Sequence, residues 1–155
     1  MNPPKNLSYS SYLRVDELLK LQQCESKPEE HDEMLFIIIH QTYELWFKQT
    51  LHELAKFRED LKEGRVWEGI KTIKRVLKIM KTLVQQVDIL ETMTPLDFNS
   101  FRGFLKNSSG FQSIQFRELE MLCGLRYPQM FDERLHASHH IEILKSRAEE
   151  ATIWE

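Results

Sequence analysis

The chain has 155 residues, 41% of them hydrophobic and 29% charged, the make-up of one soluble globular domain, and residues 1–155 are read as a single unit. A net charge of -3 excludes the broad basic footprint that nucleic-acid binding needs. No apolar run approaches the roughly 20 residues of a membrane span, so neither a nucleic-acid nor a membrane partner is expected.

Five glycines and five prolines disfavour a turn-rich β architecture. Cys24 and Cys123 make neither a metal cluster nor a disulfide framework, which points to a reducing, cytoplasmic setting. The segment Met1-Asn2-Pro3-Pro4-Lys5 has no apolar core of the kind a secretory signal carries.

Residues 1–8 read as a loose polar arm. Ser10 or Ser11 is a candidate cap for a first helix over about 12–23, with Tyr12, Val15, Leu18, Leu19 and Gln22 as a partial apolar stripe. A linker from Glu25 to Glu30 leads into a long helix over about 30–62. Asp32 and Glu33 suit the positive end of its dipole, and Gly64 ends it. Within it Phe36, His40, Tyr43 and Phe47 recur at four, three and four residues, which is one helix face.

A second long helix covers about 66–92 on the stripe Ile70, Ile73, Val76, Leu77, Met80, Leu83, Val84, Val87 and Leu90. Lys71, Lys74, Lys78 and Lys81 read as its solvated side. Thr94-Pro95 is a cap followed by proline at the first helical position, opening a helix over about 95–105. The turn Asn107-Ser108-Ser109-Gly110 precedes a helix over about 111–123 that stops at Gly124. After Pro128 a last helix covers about 132–150. No segment keeps a strand period, so the fold class is all-α: a helical bundle on two long helices, with short helices carrying the pocket.

Four groups of residues could carry chemistry. His40 stands among Phe36, Ile37, Ile38 and Ile39. A neutral imidazole there can hydrogen-bond one polar atom in a dry pocket, or it is an ordinary core residue. Arg102, one turn after Phe98, can clamp a carboxylate bidentately or pair with Asp97. Ser109-Gly110 opens a helix and presents free backbone N–H groups, or is a plain capped start. His136 and His140 have a metal-ligand spacing, but their flanks are charged and the three histidines at 136, 139 and 140 read as surface residues. There is no nucleophilic triad and no Gly-rich phosphate loop.

Several stretches together resemble the tryptophan 2,3-dioxygenase family. They are His31-Asp32-Glu33 with Leu35 to Ile38, His40-Gln41 and Tyr43 to Gln49; Leu83 to Gln86 with Ile89 to Phe98 and Phe101-Arg102; and Ser109 to Ser113 with Gln115-Phe116-Arg117. Tyr9 and Tyr12-Leu13 resemble an N-terminal Tyr-x-x-Tyr-Leu segment. Order and spacing agree over about residues 7–125.

The resemblance implies a haem b enzyme of the kynurenine route that inserts both atoms of O2 into the indole ring of L-tryptophan, giving N-formylkynurenine. By position His40 matches the histidine that bonds the indole N–H, and Phe36 to Ile39 match the wall around it. Arg102 matches the arginine that binds the substrate carboxylate, and Phe98 lines the same pocket. Ser109 and Gly110 match a turn beside haem. Tyr9, Tyr12 and Leu13 match residues that enter a neighbouring subunit's site in a homotetramer. The family's proximal histidine lies in a later region that none of His136, His139 and His140 resembles, so no iron ligand is assigned. The alternatives are a catalytically impaired short member that binds an indole amino acid or serves assembly, and a haem-dependent aromatic monooxygenase.

Overall fold

The computed structural model describes residues 7–155. It contains, in order, α1 (Tyr9–Leu13), α2 (Val15–Leu18), α3 (His31–Lys62), α4 (Val66–Leu90), α5 (Pro95–Arg102), α6 (Ile114–Leu122) and α7 (Ser138–Glu149), with 3-10 turns at Gly110–Gln112 and Pro128–Phe131. No strand occurs among the described residues. The fold is all-α, as the periodicity predicts.

α3 and α4 form an antiparallel hairpin. Arg65 N donates to the Asp60 carbonyl across the turn, and Gly64 takes φ +72, which a side chain would resist. Beneath the turn the buried Asp60 carboxylate accepts from Lys56 and Arg65. Burial of Phe47 and Leu54 on α3, Val76, Ile79 and Leu83 on α4, and Leu119 and Leu122 on α6 makes the main core. Each such side chain contributes about 1.5–3 kcal/mol. The Tyr43 hydroxyl adds a directional tie, donating to the Leu83 carbonyl at 2.6 Å. The four lysines of α4 are exposed as expected.

The α4 stripe is only half covered. Leu77 (63% exposed), Val84 (69%), Met80 and Val87 lie along a second lane that no described residue buries. That lane borders an apolar groove of about 640 Å³ whose lining includes Phe47, Leu77, Met80, Phe116 and Trp154.

Several sequence expectations are corrected. Residues 12–23 are not one helix. Arg14 adopts φ 53 and splits the segment into α1 and α2, and Ser8, not Ser10 or Ser11, caps α1. α1 and α2 bury no residue, so no packing holds them in one rod. Of the predicted arm, residues 1–6 lie outside the described residues. The helix over 95–105 ends at Arg102, and the one over 111–123 breaks at Ser113, which closes the 3-10 turn and caps α6. The last helix begins at Ser138 rather than 132, because 132–135 form a turn held by Leu135 N to the Asp132 carbonyl.

That turn inserts His136 into the α6–α7 corner, beside a second core of Met121, Met130 and Leu144. His136 is 5% exposed, which overturns its reading as a surface histidine. His139 is exposed and His140 half-buried.

Candidate functional site

α3 presents Ile39, His40, Tyr43, Glu44 and Phe47 to a cleft of about 250 Å³. Its opposite wall comes from Gly110, Ser113 and Phe116, and Leu90 at the end of α4 closes one side. The lining is mostly apolar, which suits a flat hydrophobic ligand with few polar groups.

His40 Nδ1 lies 2.7 Å from the carbonyl oxygen of Phe36, one turn earlier. A carbonyl can only accept, so Nδ1 carries a proton, and in the neutral ring Nε2 keeps its lone pair. Nε2 has no hydrogen-bond partner among the described residues. The Phe36 ring packs on the imidazole at 4.1 Å and meets Phe98 at 5.7 Å and Phe101 at 5.6 Å. Phe101 is fully buried. This aromatic cluster joins α3 to α5 and sets Phe36 against both His40 and Phe98, beside the cleft rather than in its lining.

Arg102 lies in the last turn of α5 and is exposed, donating from Nη1 to the Lys106 carbonyl at 3.0 Å. Asp97 is not its partner. That carboxylate accepts from the Thr94 hydroxyl and N–H in a capping box, and those bonds hold it below the usual carboxylate range. Arg102 therefore has no carboxylate partner among the described residues, and its guanidinium can receive one from a ligand.

Ser109 caps the 3-10 turn, its hydroxyl accepting from Phe111 N. Gly110 has open space where a Cβ would stand, so the backbone is accessible at the cleft. Ile39 is buried, Ile37 half-buried and Ile38 exposed; of the three only Ile39 lines the cleft. Tyr9 (76% exposed), Tyr12 (72%) and Leu13 stand on α1, away from the cleft of their own chain. A connection unforeseen in the sequence docks the N-terminal segment beside His40: Gln22 Nε2 donates to Gln41 Oε1, and Gln41 Nε2 to the Leu21 carbonyl.

Tyr43, Glu44, Phe47, Leu90, Ser113 and Phe116 also line the cleft. Tyr43 and Phe47 share the helical face of His40, so spacing alone could have found them. Leu90 and Ser113 arrive through tertiary packing, which no local pattern encodes.

A sequence profile of tryptophan 2,3-dioxygenase matches residues 3–153. The chain belongs to the tryptophan 2,3-dioxygenase family. A tryptophan 2,3-dioxygenase of Herpetosiphon aurantiacus is 50% identical over 149 residues, covering 96% of this chain and 57% of the relative. One of Anaeromyxobacter sp. strain K is 54% identical over 133 residues, covering 86% and 48%. One of Nocardioides sp. is 48% identical, covering 96% and 58%. The chain spans about half the length of the curated relatives it matches.

The cleft fits one face of a haem. Its walls are apolar, Gly110 leaves room for close approach, and His40 Nε2 offers one acceptor. No second histidine lines it, and no group of three His, Cys, Asp or Glu side chains suited to a metal occurs among the described residues. The lining residues thus offer an apolar surface and one imidazole, with no second nitrogen donor among them.

Proposed function

We propose that this chain forms the substrate-binding wall of a haem-dependent tryptophan 2,3-dioxygenase, which converts L-tryptophan and O2 to N-formylkynurenine. The observation that carries the reading is the fixed tautomer of His40. With Nδ1–H committed to the Phe36 carbonyl, Nε2 is an acceptor, and indole offers a single N–H donor. Phe36 and Phe98 wall the indole ring and exclude water. Arg102 is free to hold the amino acid's carboxylate, orienting the ring toward His40. Haem supplies the iron at which O2 is activated. Gly110, Ser113 and Phe116 would face it, with Ser109 fixing their turn.

The exposed lane of α4 and its adjoining groove support a larger assembly, since contiguous apolar surface of this kind marks an interaction site. A homotetramer, with Tyr9, Tyr12 and Leu13 reaching a neighbouring subunit, is part of the proposal, as is a cytoplasmic setting. The test is an absorption spectrum with a Soret band and formation of N-formylkynurenine by the chain together with any partner chain. Absence of both, with all partners present, overturns it.

A second reading is a module that binds an indole amino acid without turning it over, for which the acceptor at His40 Nε2 and the exposed Arg102 guanidinium are already sufficient. Calorimetry distinguishes it, with L-tryptophan binding and no product. A product one oxygen atom heavier than tryptophan, rather than two, would assign a monooxygenase.

A further inference from the structure

The two walls of the cleft belong to different parts of the chain, and one polar contact joins them. Gln115, in the first turn of α6, donates from Nε2 to the Glu44 backbone carbonyl at 2.9 Å and to Glu44 Oε2 at 2.8 Å. The amide orientation is forced, because its oxygen could not face two other oxygens. Glu44 lies one turn after His40. Gln115 follows Ser113 by two residues, and Ser113 both lines the cleft and caps α6 through Phe116 N.

No other hydrogen bond or ion pair connects α3 to residues 109–122 among the described residues. What remains across that junction is apolar, chiefly Phe47 against Phe116 at 5.3 Å and the core beneath. Apolar contact attracts but does not fix register, whereas a two-acceptor amide bond is directional.

We propose that Gln115 is a positioning residue that sets the separation of the two walls, acting through Glu44. The inference rests on the reading of the cleft as the substrate and haem pocket, and it gives that pocket a defined width. A displacement of about an ångström at such a wall is enough to degrade a bound geometry. Gln115 itself does not line the cleft.

The test uses the whole chain with Gln115→Glu, which sets carboxylate against carboxylate; Gln115→Met, which keeps length and removes the donor; and Gln115→Glu combined with Glu44→Gln, which returns a donor from the other side. The first readout needs no ligand: NMR shifts of the Gly110 and Ser113 amides and of the His40 ring nitrogens. Both single variants are expected to move these signals. Gln115→Met should keep its melting temperature within a few degrees, since the apolar core still holds the helices. The double variant should return the signals toward wild type. The second readout is the Kd for L-tryptophan on the haem-loaded chain, expected to weaken about tenfold in Gln115→Glu and to recover in the double variant.

Unmoved wall signals in both single variants, or a double variant no nearer wild type than Gln115→Glu, overturn the proposal. A chain that binds neither haem nor tryptophan with all partner chains present, while its wall signals respond, would overturn the functional reading and leave the tie standing. Normal binding with unresponsive walls would do the reverse.

Discussion

His40 and His136 occupy two regions that treat the same side chain in opposite ways. His40 stands half-buried on a long helix, one ring nitrogen bound to a carbonyl and the other open at a cleft. His136 sits in the α6–α7 corner, buried, with neither ring nitrogen hydrogen-bonded. Burial and the neighbouring Arg117 guanidinium push its pKa below the ordinary histidine value, so the corner favours a neutral ring. Arg117 itself pairs with Glu120 at 2.7 Å and with the Tyr127 hydroxyl. Burial alone therefore does not mark a functional histidine. One committed nitrogen and one open nitrogen on a cleft make an oriented acceptor, whereas two unpartnered nitrogens in a closed core make a site intolerant of charge.

The most disruptive way to separate the regions is Leu144→Ala. Leu144 is fully buried in the corner core, and truncation should cost about 2–5 kcal/mol. Chemical denaturation should show that loss while the His40 ring signals stay in place; a shift of those signals would show that the two regions are coupled.

Arg102→Ala probes the proposed carboxylate site at the end of α5. A charge-assisted hydrogen bond contributes about 1.5–3 kcal/mol, so calorimetry should find L-tryptophan binding weakened by roughly ten- to a hundredfold, with stability nearly unchanged because Arg102 is exposed. Tryptamine, which lacks the carboxylate, should bind both forms alike.

His40→Leu should weaken L-tryptophan by about tenfold, the cost of about 1–2 kcal/mol for an indole N–H left without an acceptor. It should have little effect on 1-methyltryptophan, which has no such donor. Equal losses for both ligands would place His40 outside the recognition of the indole nitrogen.

The smallest effect belongs to His136. A histidine whose folded pKa is depressed resists the proton that the unfolded chain accepts. Its stability is fully present above the ordinary value near 6.5 and is lost as pH falls below it. Melting temperature should drop by a few degrees between pH 7 and pH 5, and His136→Leu should flatten that part of the profile.

The contrast also explains what was legible before the fold was known. α3 and α4 were readable nearly to the residue, because a 3.6-residue apolar period, acidic first-turn residues and Gly64 are local signals. The face of Phe36, His40, Tyr43 and Phe47 was readable for the same reason. The break at Arg14 was not, since nothing in Tyr12 to Leu19 marks a left-handed residue. The burial of His136 was hidden among charged neighbours: Asp132 to Leu135 form a turn, and that turn rather than a helical period aims the ring inward.

By itself the sequence determined the all-α class, the two long helices and the relative placement of residues within each motif, since all of these depend on spacing along one chain segment. Only the tertiary structure decided that Gln115 reaches Glu44 and that half of the α4 stripe stays uncovered. Each of those outcomes depends on which groups compete for a partner in space, and spacing along the chain carries no record of that competition.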